Sequence, residues 1–293
     1  MYISTDLDES RRICRNHIES LELWSRRLIH EQLSLKYGND YFNAKNLNGD
    51  NIINKSIRKT ADKLKNEDPQ RFPRHVDTLL LDDIIRILCN PNFYKDLFKE
   101  ALDINYRQGR EEVREYLKRL IPIRNALCHS NPISTRQAEQ VICYSNDFIY
   151  GVREYYRAKG LETMWNIPQI IKATDSLGNV YFPKIENKDH PQKYFDIRKM
   201  NGIFQVGDSY SITLEIDPSF ERSDYTVKWS VPHLGEREDF LNSLSYSKTF
   251  TIDDVKQTFQ IHASITSIES WHKYSGYDDD LNIYVTVLPP IKY

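Results

Sequence analysis

The run IPIRNALCHSNPIS, residues 121–134, holds Arg124, Asn125 and His129 within a few residues of one another. Those side chains suit phosphodiester chemistry on RNA. RNA carries its own nucleophile, the 2′-hydroxyl. A histidine that titrates near neutral pH takes the proton from that hydroxyl or gives one to the departing 5′-oxygen. An arginine grips the phosphate and stabilises the charge that builds on it. The reaction as written requires no metal and no cofactor. One histidine serves poorly as both base and acid, so a two-fold pair of chains, with two copies of the run in one cleft, makes a fuller site.

Helical spacing constrains these residues. Asn125 and His129 are four apart and share a face. Arg124 and His129 are five apart, roughly 140° around an ideal helix. They meet on one target only through an irregular helix or through a second copy of the chain. Pro122 lacks an amide hydrogen and disfavours a continuous helix through 121–124; it fits better as a kink or as the first turn of a new helical piece, which would put Arg124 and Asn125 near a helix start, where backbone N–H groups favour an anion. Pro132 ends the piece just after the histidine.

The surrounding pattern is helical up to Gly160. Ile13, Ile18, Leu21, Trp24, Leu28 and Leu35 mark a long amphipathic helix that Gly38 can end. An Asn-rich loop follows, and a second helix is expected over 51–66. Residues 76–89 read as a buried helix, Asn90-Pro91 as the cap and first turn of another, and 111–121 as one more. The last helix opens at Ser134 with Gln137 three residues on, a capping box, and runs to Gly160.

Beyond Gly160 the apolar period becomes two, as in Tyr210-Ile212-Leu214-Ile216, Tyr225-Val227-Trp229-Val231 and Phe259-Ile261-Ala263-Ile265. A tryptophan in VKWSV, then QIHASITS and a final strand, resembles an immunoglobulin-like sandwich without the cysteine pair of antibody domains. The expected fold class is α+β in two domains, all-α over 1–162 and an all-β sandwich over 163–293. Residues 1–160 carry 27 Lys/Arg against 23 Asp/Glu, and the remainder 13 against 19. The helical part is therefore the expected place for a polyanion.

Composition excludes some classes. The net charge of −2 gives no global nucleic-acid signature, and no apolar run is long enough for a bilayer. The polar start MYISTDLDES is unlike a secretory leader, and Cys14, Cys89, Cys128 and Cys143 lack metal or disulfide spacing. A cytoplasmic location with reduced thiols is expected, with no membrane partner. Cys128 neighbours His129 but points away from it on a helix, which speaks against a thiol nucleophile. Asp82-Asp83 is expected on a solvated face, Tyr155-Tyr156-Arg157 in core packing rather than on RNA bases, and Asp278-Asp279-Asp280 in a turn.

RNALCH resembles the RxxxxH signature of the HEPN superfamily, with Arg124 and His129 as the defining pair and Asn125 as the polar residue beside the arginine. The resemblance covers roughly residues 1–160 and includes LLLDDIIRIL, the NPIS that follows the histidine, and the long last helix. Alanine is common just before the histidine in that family; here the position is Cys128. The resemblance implies a dimerising helical bundle and a metal-independent endoribonuclease in a toxin or anti-phage defence role. It leaves open a non-catalytic dimerisation or adaptor module whose sandwich binds a partner.

Overall fold

A computed structural model describes residues 7–183, 193–231 and 240–290. The chain is α+β, helices first and β-sheets after, and divides into two compact units, Met1–Glu162 and Thr163–Tyr293.

The helical unit begins with α1 (Leu7–Tyr37) and α2 (Lys55–Glu67). It continues with α3 (Leu81–Leu88), α4 (Pro91–Phe93), α5 (Lys99–Leu102), α6 (Arg110–Cys128) and α7 (Thr135–Ala158), and a π-helical turn, Tyr94–Phe98, joins α4 to α5. α1 buries Cys14, Ile18, Leu21, Trp24, Leu28 and Leu33, a stripe at helical spacing, mainly against α7. Asn90 caps α4 by accepting from the backbone N–H of Asn92, with Pro91 at the first helical position. Ser134 and Gln137 form the expected capping box at the start of α7. At its other end Gly160, at φ +67°, takes the left-handed position of a Schellman motif. Tyr155 and Tyr156 pack into the core, as expected, with the Tyr156 ring 6.1 Å from that of Trp24.

One local expectation is overturned. Pro122 does not divide the helix; α6 runs through it as a single element. Pro122 lies on the exposed face, while Val113, Leu117, Leu120, Ile123 and Leu127 form one buried stripe on both sides of it. A proline inside a helix costs about 3 kcal/mol. Burying Ile123 and Leu127 stabilises by about 1.5–3 kcal/mol each, which outweighs that cost.

After the short α8 (Glu162–Trp165) come β1 (Ile170–Asp175), β2 (Val180–Tyr181), β3 (Lys193–Asp196), β4 (Ile203–Gln205) and β5 (Ser209–Ile216). β6 (Tyr225–Ser230), β7 (Phe240–Leu241), β8 (Ser245–Thr249), β9 (Lys256–Ser267) and β10 (Asp279–Leu288) complete the unit. One sheet has the order β2-β1-β5-β8 and the other β3-β10-β9-β6-β7, with β4 also on β10. β3 and β4 run parallel to β10; the other pairings are antiparallel. Side chains from both sheets fill one core around Trp229, whose ring lies 5.3 Å from Tyr246.

The DDD run is a second correction. It is not a turn as a whole: Asp279 and Asp280 open β10, Asp278 precedes it, and all three are buried. Asp278 accepts from the backbone N–H of Ser267 and Lys273, and Asp279 from that of Ile170 and from Lys193 Nζ at 2.5 Å. Asp280 meets His262 Nε2 at 3.3 Å and Asn282 Nδ2 at 3.2 Å. Buried carboxylates persist where they are hydrogen-bonded and paired in this way.

Candidate functional site

Because α6 is continuous, Arg124, Asn125 and His129 occupy its last turns rather than the start of a new helix. The end is a Schellman motif: Ser130 N–H donates to Leu127 O at 3.2 Å and Asn131 N–H to Ala126 O at 2.8 Å. Ser130 holds the left-handed position at φ +58°, a place glycine usually takes. His129 is the C-cap residue and is exposed, as are Asn125 and Cys128. A helix C-terminus presents carbonyls and the negative end of the dipole. It does not attract an anion, so any phosphate held here is held by side chains.

Arg124 turns toward α1. Its Nε lies 3.6 Å from Glu22 Oε1, with the two side chains 22% and 10% exposed. The other oxygen of Glu22 accepts from Arg26 Nη2 at 2.7 Å, and Arg26 in turn donates to the carbonyl of Leu79. Glu22 Oε1 accepts no hydrogen bond, so its interaction with Arg124 is an ion pair alone. Arg15, the residue after Cys14 on α1, donates to Leu127 O at 2.9 Å and ties α1 to the end of α6.

Arg124 also reaches Asn125, its Nη1 donating to Asn125 Oδ1 at 3.4 Å, but among the described residues no hydrogen bond or ion pair joins Arg124 to His129. Asn125 and His129 lie on one exposed face. Arg124 faces the α1 side, and the regular helix leaves the roughly 140° between it and His129 in place. The helix runs unbroken between them, so no irregularity of α6 brings these groups together. Arg15, Glu22 and Arg26 were not legible as neighbours of the motif, since they come about a hundred residues earlier and nothing in their local pattern marks them.

Elsewhere in the unit, Asp82 is exposed and Asp83 half-buried beside Arg86, 3.6 Å away. Burial pushes the Asp83 carboxyl above its ordinary range. A cavity of about 410 Å³ beside the π-helical turn is lined by Lys95, Asp96, Lys99, Glu100, Asp103 and Tyr155. Its carboxylates pair with Lys36, Lys99 and Lys159, which leaves little unbalanced charge for a ligand. Among the described residues no group of three or more His, Cys, Asp or Glu side chains is placed to hold a metal ion. No described helix is long and apolar enough to cross a membrane.

No protein-family model matches the chain, and no curated protein matches it.

Proposed function

We propose that the chain is a metal-independent endoribonuclease of HEPN type, acting on cytoplasmic RNA as a homodimer in a toxin or anti-phage defence role. His129 moves the protons, Arg124 stabilises the phosphate, and Asn125 supports the substrate beside them. The observation that carries this reading is the exposed His129 at the end of α6, with Asn125 on the same face and Arg124 one step round the helix. Arg124 pairs with Glu22 while His129 caps the end of α6, which supports an active unit that pairs two copies of the run. The β-sandwich is the part that meets a protein partner or trigger.

A second reading has one observation in its favour. Arg124 is half-buried and already paired with Glu22, as a purely structural arginine would be. On that reading the chain is a non-catalytic HEPN-like dimerisation or adaptor module whose sandwich binds a partner.

Cleavage of single-stranded RNA in EDTA separates the two. The ribonuclease reading expects ends carrying 2′,3′-cyclic phosphate and 5′-hydroxyl, and expects DNA, which lacks the attacking oxygen, to resist. His129→Ala should lower turnover by about 10²–10⁴-fold, the usual contribution of proton transfer. If cells expressing wild type and His129→Ala under the native trigger yield the same RNA ends, the adaptor reading replaces it.

A further inference from the structure

The face of α6 that carries Asn125 and His129 does not stop at them. Arg114, Lys118, Ile121, Asn125 and His129 fall within about 80° of one another around the helix. None of these side chains is fully buried, and Lys118, Asn125 and His129 are exposed. At the Arg114 end this face forms one wall of a groove of about 300 Å³, and α3 forms the other with Asp82, Ile85 and Arg86. The lining holds three cations, Arg86, Arg114 and Lys118, against one carboxylate, Asp82.

The cations are available to a ligand. Lys118 makes no ion pair among the described residues. Among the described residues, Arg86 and Arg114 pair only within their own helices, with Asp83 at 3.6 Å and Glu111 at 3.3 Å, and their side chains are 64% and 41% exposed. Exposed pairs of this kind contribute about 0–1 kcal/mol, so exchanging the carboxylate for a phosphate costs little. Lys118 and His129 are 11 residues apart, about 16 Å along the helix. The spread suits an extended polyanion better than a single small anion.

We propose that the groove between α3 and α6 is the track for the backbone of a single-stranded RNA. Arg86, Arg114 and Lys118 meet successive phosphates, and α6 leads the strand to Asn125 and His129. The inference rests on the ribonuclease reading for the choice of ligand, while the groove itself rests on charge and placement. A guanidinium fork and an ammonium in a row match phosphate oxygens, and the half-buried Ile121 offers an apolar floor.

The test uses the full chain and a fluorescent single-stranded 2′-O-methyl RNA, which binds like RNA but lacks the attacking hydroxyl. Anisotropy across a salt series should show Arg114→Ala/Lys118→Ala binding roughly tenfold more weakly, with the salt slope reduced by about 1.4, the value for two lost phosphate contacts on a single strand. The control Lys55→Ala/Lys59→Ala, which removes the same charge from α2, should bind as wild type does. On cleavable RNA the groove variant should raise KM and leave kcat near wild type, since it loses binding away from the reacting atoms. The groove proposal is overturned if wild type does not bind the probe, if the groove and control variants weaken it equally, or if polyglutamate displaces it as well as RNA does. The last result would assign the groove to an acidic protein segment. Groove-dependent binding without any cleavage upholds the track and removes the ribonuclease reading. His129-dependent cleavage that ignores the groove variants does the reverse.

Discussion

Glu22→Gln and Arg124→Gln, made singly and together, measure what the ion pair between α1 and α6 does. At 3.6 Å, with both side chains mostly buried, the pair has a Coulomb attraction of about 4.6 kcal/mol at an effective dielectric of 20, before desolvation is subtracted. Gln at position 22 keeps the shape and one acceptor for Arg26, so the loss is that of a charge rather than of a contact. The expected destabilisation is about 1–2 kcal/mol, the difference between a charged and a neutral hydrogen-bonded pair. For a unit of this size that lowers the melting midpoint by roughly 2–8 °C in the helical circular-dichroism signal. The coupling from the double-mutant cycle should fall between about 0.5 and 3 kcal/mol. RNA binding should move the other way: without its carboxylate partner Arg124 is a stronger anion ligand, and Glu22→Gln should tighten binding severalfold while it weakens the fold. A coupling below about 0.3 kcal/mol would show that Glu22 does not hold Arg124. A Glu22→Gln variant that loses stability and RNA affinity together would show that the carboxylate positions Arg124 for RNA instead of competing with it.

Three further outcomes test other parts of the structure. His30 is half-buried between Tyr41 and Ser34, and its desolvation, with Arg74 nearby, pushes its ring down from 6.5 to about 4. Between those pH values the unfolded chain binds a proton that the folded chain refuses, so stability is full above 6.5 and falls as pH drops to 4. Unfolding free energies from urea melts at the two ends should differ by about 2 kcal/mol, allowing for the ring's residual exposure, and His30→Gln should remove that part of the difference. Ser130→Gly relieves the left-handed strain at the end of α6 and should stabilise by about 0.5–1 kcal/mol in urea, since glycine also loosens the unfolded chain. Asp279→Ala strands the buried Lys193 ammonium and should destabilise the sandwich by about 3–5 kcal/mol, melting the β unit while the helical signal keeps its midpoint.

The two halves of the chain were legible because their signals are local. Leu21, Trp24 and Leu28 repeat at a helical period and are buried on one stripe of α1; Tyr210, Ile212 and Leu214 alternate and are buried on one face of β5. The capping box at Ser134 and the glycine stop at Gly160 are complete within a few residues of chain, so their types and spacing specify them. The Arg124-Asn125-His129 run was visible for the same reason, as a set of residue types. Its geometry was not. Pro122 argues for a break when read alone, and only the burial of Ile123 and Leu127 against the rest of the bundle carries the helix through it. That continuity sends Arg124 toward Glu22 and leaves His129 at a helix end. Asp278, Asp279 and Asp280 read as a turn until Ser267, Ile170, Lys193 and His262 arrive to pair them. A backbone pattern follows from neighbours along the chain, whereas the partner of a charge is chosen by which distant segments share a core, and that choice is made only when the chain folds.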